Sequence, residues 1–485
     1  MTHPKPATTA RTLNRRLVMT VMLVGTFVAI LNETLLNVAL PRIMQDFHVT
    51  ANAVQWLTTV YMLTNGVLIP VTAFLVQKFS LRRLFMTGMG LFAMGSLVAG
   101  LAPDFGLLLS ARVMQAAGAA IVLPLLMNVI LTIYPLEQRG SAMGLVGLVI
   151  TFAPAIGPTL SGWLVTHHSW HLLFFIVLPI ALLDVLFAYT SLANVLPNTN
   201  PDIDAASILL STLGFGGLLF GFSEAGSIGW HAPLVWVSLL VALASLGIFV
   251  RRQFFLKMPM LEFRVFRVRQ FTLATVVTVL VFMSMFSAML LLPLYLQNAR
   301  GFSPLASGLL VMPGAVAMGI MSPISGRIFD KVGGRWLGIV GSLFLAGTLF
   351  DFTSLSTSTG YVTLMIAFVF LMLGMSLIMM PVMTSGLNWL PPELYPHGTA
   401  VSNTLQQVAG AVGTALLVTI MTDGAKAWVG GHGQAVLAHR QNPAVVAQLA
   451  SIHGMDLAFM TAAGFALLSL VLCFFVQNST PHPEA

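Results

Sequence analysis

Charge is what this chain has least of. Only 8% of its 485 residues are Asp, Glu, Lys or Arg, against 57% apolar types. A soluble domain carries about 25% charged residues, so this chain cannot cover a water-facing surface. A cytosolic enzyme, a disordered tail and a nucleic-acid binder are all excluded. The net charge of +7 does not suggest DNA, because Lys and Arg gather on no single soluble segment. Cysteine is nearly absent: Cys473 stands alone, which excludes an intrachain disulfide and a cysteine-based metal site. No GxxxxGK[ST] loop occurs, so the chain carries no ATP-driven motor of that type, and no His-Glu pair has zinc spacing. The histidines His167, His168 and His171 cluster in a turn that reads as solvated. No metal, no cofactor and no enzymatic activity are expected.

Long apolar runs dominate what remains. A bilayer core of about 30 Å needs about 20 helical residues. Runs of that kind fall near 17–40, 53–76, 84–102, 106–131, 140–165, 171–193, 206–224, 232–250, 271–297, 304–326, 336–354, 360–386, 398–422 and 456–477. The first has 24 residues behind Lys5, Arg11, Arg15 and Arg16. Signal cores have about 7–15 and end at small residues, so this run is expected to be a retained first span. With the N-terminus inside, 17 Lys and Arg fall on inner segments and 4 on outer ones, which predicts both termini in the cytoplasm. The stretch 423–455 is expected to be a long polar outer loop.

An internal repeat organises the runs. Pro70-x-x-Ala73-x-x-x-Gln77-x-x-Ser80-x-Arg82 returns as Pro323-x-x-Gly326-x-x-x-Asp330-x-x-Gly333-x-Arg335, 253 residues later. Pro41 and Pro293 repeat at 252. The predicted organisation is a tail 1–16, a six-helix bundle 17–193, two inserted helices 206–250, a basic linker 251–270, a second six-helix bundle 271–477 and a tail 478–485. Two such halves are a transporter architecture with a midplane site between them.

These motifs together resemble the major facilitator superfamily, in its fourteen-helix drug:proton antiporter branch (the EmrB/QacA and lincomycin-resistance type). Asn37-Val-Ala-Leu-Pro41 matches the end of that branch's first helix. Residues 73–83 and 326–335 match the G-x-x-x-D-x-x-G-R/K gate loop, Arg112-Val-Met-Gln115-Ala-Ala-Gly118 the fourth-helix pattern, and Pro154, Gly157, Pro158 and Gly162 the fifth-helix antiporter motif. The first loop departs from the pattern with Ala73, Gln77 and Ser80. The second keeps Asp330 and is expected to carry the stronger gate.

The resemblance implies an all-α polytopic protein that exports amphiphilic small molecules across a bacterial plasma membrane, powered by a proton gradient and acting as a monomer. It implies a gate latched by Gln77, Arg82, Arg83, Gly326, Asp330, Gly333 and Arg335. Transport of one specific metabolite or self-made antibiotic is the alternative; a sensor is disfavoured by the duplicated halves.

Ionisable residues inside a membrane are costly and tend to be functional. Glu33 and Arg112 lie at similar depth, roughly 10 Å from the outer surface by helical rise. They are expected to meet, as a proton-coupling pair or as a static packing pair. Asp184 either faces the cavity or snorkels inward. Asn32, Asn37, Tyr61, Gln115, Asn403 and Gln406 are candidate cavity residues, and abundant Met and Phe would suit soft, promiscuous binding.

Overall fold

A computed structural model describes residues 14–196, 201–202, 204–438 and 443–478. Most of the two expected tails lies outside the described residues. The described residues are almost wholly helical, with no strand among them. The first six long helices are α1 (Arg15–Asp46), α2 (Ala51–Lys78), α3 (Leu81–Gly100), α4 (Phe105–Ile133), α5 (Leu136–His167) and α6 (Leu172–Ser191). Then come α7 (Ala205–Ser227) and α8 (Pro233–Phe255). The last six are α9 (Arg269–Leu294), α10 (Pro304–Val332), α11 (Gly334–Asp351), α12 (Tyr361–Leu387), α13 (Tyr395–Ala438) and α14 (Pro443–Cys473). Among the described residues, fourteen helices are long and apolar enough to cross a membrane.

Local sequence explains where several helices start. Thr50, Ser80, Asp104 and Ser303 each accept, through a side-chain oxygen, the backbone N–H three residues on. Gly333 separates α10 from α11 at φ +78°, a conformation other residues adopt only with strain. Outward faces are apolar: Leu182, Leu183, Leu186 and Phe187 of α6 and Trp236, Leu240 and Leu243 of α8 are more than half exposed, as suits lipid contact.

Two expected boundaries are corrected. The outer loop expected at 423–455 is largely helix: α13 runs on to Ala438 and α14 begins at Pro443. Its Ala and Gln favour helix even where the stretch is too polar for lipid, so hydropathy alone misplaced both ends. Pro41, expected at the end of the first helix, lies inside α1, which continues to Asp46.

Helices α1–α6 pack mainly on one another, as do α9–α14. The two sets meet chiefly along α5–α10 and α2–α13. Helices α7 and α8 pair, and α7 lies against both α2 and α13. At one end of the molecule, rich in Lys and Arg and called here the basic end, α5 and α10 touch backbone to backbone. A Cβ added to Gly326 would lie 2.2 Å from the Gly140 carbonyl oxygen, and one on Gly144 2.7 Å from that of Ser322.

Gly326→Ala is therefore expected to lower the unfolding midpoint in detergent, at a cost of about 1–3 kcal/mol from overpacking. Gly347→Ala, with no neighbour within 4 Å, is expected to be neutral. Equal midpoints for the two variants would contradict the close approach.

Candidate functional site

The largest buried charge is Arg112 of α4, with no exposed surface. Its Nη1 donates to Asn32 Oδ1 at 2.7 Å and Gln115 Oε1 at 2.8 Å, and its Nε to the Leu57 carbonyl at 3.3 Å. The guanidinium lies over the Tyr61 ring, 4.2 Å from its centroid. Tyr61 donates to the Ala29 carbonyl at 3.3 Å, and Gln115 Nε2 to Ser96 Oγ at 2.9 Å. Arg112 Nη2 has no partner. Helices α1, α2, α3 and α4 thus converge on one cation.

The expected contact of Glu33 with Arg112 is not made. The half-buried Glu33 stands within electrostatic range of Arg112 and Tyr61, but no ion pair or hydrogen bond joins it to Arg112. Successive residues on a helix point about 100° apart, so only one of the neighbours Asn32 and Glu33 can face α4, and Asn32 does. Matched depth placed the helices correctly and could not choose between adjacent positions.

Asn32, Tyr61 and Gln115, expected to line a cavity, are instead buried, with polar atoms engaged in the Arg112 cluster. Asn37 is exposed and accepts from Thr58 Oγ1 at 3.2 Å. Asn403 and Gln406 of α13 are buried. Asn403 Nδ2 donates to the Thr399 carbonyl at 2.8 Å and lies 3.4 Å from Met127 Sδ, and Gln406 Nε2 lies 3.4 Å from Met383 Sδ. Asp184 neither faces a central cleft nor snorkels. It is buried with Oδ2 unpartnered, and a Cβ on Gly25 of α1 would lie 2.6 Å from that oxygen, beside Phe85 and Met89 of α3. Asp456 escaped the sequence reading, which began a helix at that residue. It lies well inside the span Val445–Cys473, half-buried with Oδ1 unpartnered.

The basic end is closed across the two sets of helices. Asp330 of α10 accepts the Gly140 N–H at 2.7 Å, the Ser141 N–H at 2.8 Å and the Ser141 hydroxyl. Buried Arg139 donates to Asn388 Oδ1 at 2.9 Å and the Tyr395 hydroxyl at 3.1 Å, and also to the Tyr134 and Leu131 carbonyls. Asn128 Nδ2 donates to Thr399 Oγ1 at 2.7 Å, and Gln77 Nε2 lies 3.1 Å from His397 Nε2. These cross-set bonds all lie in the basic half.

The loop arginines act differently from a latch across the gate. Arg82 Nε donates to the Leu192 carbonyl at 2.7 Å, at the C-terminus of α6 where the helix dipole is negative, within its own six helices. Arg83 and Arg335 are exposed. In α5, which stays helical through Pro154 and Pro158, a Cβ on Gly157 would meet Thr34 of α1 at 2.2 Å, whereas one on Gly162 would meet only Val38, at 4.0 Å. Among the described residues no cluster of His, Cys, Asp and Glu could hold a metal.

Among the described residues, twelve apolar helices in two sets that meet along a few seams, with two more paired beside them, form the architecture of a polytopic membrane transporter. The chain belongs to the Major Facilitator Superfamily, whose family model matches residues 22–414. It is 50% identical over 465 residues to the uncharacterized MFS-type transporter YcnB of Bacillus subtilis (strain 168), covering 96% of each chain. It is 44% identical over 476 residues to the lincomycin resistance protein LmrB of the same organism, covering 97% of this chain and 98% of that one. The fold is similar to the crystal structure of the human organic anion transporter MFSD10 (TETRAN), with TM-score 0.67, 14% identity and coverage of 95% and 99%. With fourteen spans and bacterial relatives, it is a multi-pass protein of the bacterial cell membrane.

Asn32→Ala would leave one of the two Nη1 N–H groups of buried Arg112 unmatched, with only Gln115 still bonded to that nitrogen. It is expected to cost about 1–3 kcal/mol, read as a lowered unfolding midpoint in detergent. Asn37→Ala, at an exposed position, should stay within about 0.5 kcal/mol. Indistinguishable midpoints would show that Asn32 does not support the guanidinium.

Proposed function

We propose that the chain exports amphiphilic small molecules in exchange for protons, by alternating access between two six-helix units, α1–α6 and α9–α14. The α7–α8 pair is outside the repeat. The observation that carries this reading is a buried arginine with a spare donor, beside a half-buried carboxyl it does not yet hold. Resistance-named relatives support the substrate class. The basic end is read as cytoplasmic because Lys and Arg favour the inner face. With that end closed, we read this as the outward-facing state.

In this state Glu33 takes up a proton from outside. When the units rock and the cytoplasmic side opens, α1 and α4 shift. Glu33 then moves onto the free Nη2 of Arg112. The pair is satisfied only if the carboxyl is ionised, so the proton leaves inward. Arginine itself stays charged throughout. Substrate occupies the space between the units, against Met127, Met383 and neighbouring methionines of α12, whose flexible polarizable side chains fit varied apolar shapes. The amide of Gln406 rests on sulfur, a weak acceptor, and would turn to a better acceptor on the ligand, whereas that of Asn403 is held by the Thr399 carbonyl.

The test is efflux of a panel of dyes and antibiotics, lincomycin included, from a pump-deleted bacterium with and without a protonophore. The wild type is expected to lower accumulation several-fold and to lose that effect with the protonophore. Glu33→Gln is expected to reach background at equal surface expression, because an amide cannot release a proton. Wild-type, protonophore-sensitive efflux in Glu33→Gln would overturn the assignment.

A further inference from the structure

The two seams that close the basic end are built on the same repeat but fastened differently. The start of α5 reads Leu136-Glu-Gln-Arg139-Gly140-Ser141-Ala142. The start of α13 reads Leu394-Tyr-Pro-His397-Gly398-Thr399-Ala400, 258 residues later (397 − 139). Each receives the end of a helix from the other six, α10 on α5 and α2 on α13. On the first seam the incoming residue is Asp330, which accepts two backbone N–H groups and a hydroxyl. On the second it is the uncharged Gln77, 253 residues before Asp330, and it meets the His397 ring. His397 is buried and stands where the first seam has Arg139.

His397 has a second partner that the first seam lacks. Its Nδ1 accepts the Glu262 N–H at 3.1 Å, so the neutral ring carries its proton on Nε2 and the Gln77 amide must turn its oxygen to that N–H for both contacts to hold. Glu262 lies in the connector between α8 and α9. Next to it, the Leu261 N–H donates to Gln253 Oε1 at 3.2 Å, and Gln253 Nε2 donates to Ser207 Oγ at 2.7 Å. Ser207 donates to Asp204 at 2.6 Å, and Arg252 holds the same carboxylate at 2.8 and 3.0 Å. The Arg252 hydrogen bonds pull the Asp204 carboxyl down to about 2, so this link stays ionised at any physiological pH. The connector into α7 returns to α2, where Lys78 Nζ donates to the Pro201 carbonyl at 3.1 Å. At the other end of the inserted pair, Trp230 Nε1 donates to Thr419 Oγ1 of α13 at 2.6 Å. The end of α2, the two inserted helices and the start of α13 are therefore joined by hydrogen bonds at several points.

We propose that His397 is the positioning residue of the α2–α13 seam: it engages the glutamine that replaces the missing acid and ties the inserted α7–α8 pair to the gate as a tether on the closed state. The tether explains how the seam whose loop has lost its acid still closes. It also gives the inserted helices a task, which a passive lipid-facing pair would not have. It rests on alternating access only for its consequence in transport; the tether itself is read from distances and needs neither substrate nor proton.

The test measures distances by spin labels at Gln138 and Glu393, both exposed at the basic end on opposite units, in full-length protein with Cys473→Ser. Glu262→Pro removes the single N–H that His397 accepts, at a backbone φ of −84° close to the proline range. Glu262→Ala changes the side chain and keeps that N–H. Glu262→Pro and His397→Ala are each expected to raise the population of long distances about fivefold, as loss of one net hydrogen bond would. Glu262→Ala should match the wild type. A wild-type distribution in Glu262→Pro overturns the tether, and one in His397→Ala overturns the role of the histidine. Equal shifts in Glu262→Pro and Glu262→Ala would assign the effect to the side chain and also overturn it. If Glu262→Pro fails to fold, His397→Asn against His397→Gln replaces it. Asn retains an acceptor near the position of Nδ1 and should stay closer to wild type; the reverse order overturns the proposal.

Discussion

Gly140 and Gly326 let the backbones of α5 and α10 touch, and the closed basic end depends on that touch. A single methyl at either position would collide with the facing chain. Only at this separation can Asp330 reach the Gly140 and Ser141 amides. Bonds of this kind, from a carboxylate to backbone N–H groups, are stronger than neutral ones, yet they occupy one small patch. A seam stabilised by close packing and a few directional bonds can open as a unit and close again, as alternating access requires. A broad interlocked apolar interface would resist that motion.

The scarcity of charge elsewhere makes each buried ion informative. Arg112 is held by an amide, an amide and a carbonyl rather than by a carboxylate. Such a site solvates the cation without neutralising it, and one donor remains over. A static ion pair would have satisfied Glu33 permanently and left no vacancy for exchange. Asp184 presents the contrast: it sits between α1, α3 and α6, walled by Phe85 and Met89, with no cation at contact. Its surroundings suit a packing role within one unit better than a path between the two sides.

Fourteen spans and the 253-residue repeat were legible because both are carried by long-range patterns of residue type. What the pattern could not carry was azimuth. Asn32 and Glu33 are adjacent, and hydropathy in a span buried on several sides does not show which of them faces α4. The ends of α13 and α14 were missed for a different reason: helix and bilayer need not stop together, and Ala- and Gln-rich helix can continue into water. Tyr61 and Gln115 looked like cavity residues because polar side chains in a span suggest a ligand, yet the buried arginine uses them. His397 drew no attention in sequence because, in a run beginning at 398, it sat one residue outside the membrane. Its meaning appears only when α13 is laid beside α5 and Glu262 is found against its ring.

The most direct measurement of the gate is a reversible lock on it. A Cβ on Gly147 would lie 3.2 Å from Ser322 Cβ, so the helices need part by only a few tenths of an ångström to reach the disulfide spacing of about 3.5–4.5 Å. The pair Gly147→Cys and Ser322→Cys, with Cys473→Ser, can therefore be oxidised in proteoliposomes and assayed for substrate transport. If the α5–α10 seam must part in every cycle, the cross-linked protein stops and dithiothreitol restores it. Full transport with the cross-link complete would contradict the account.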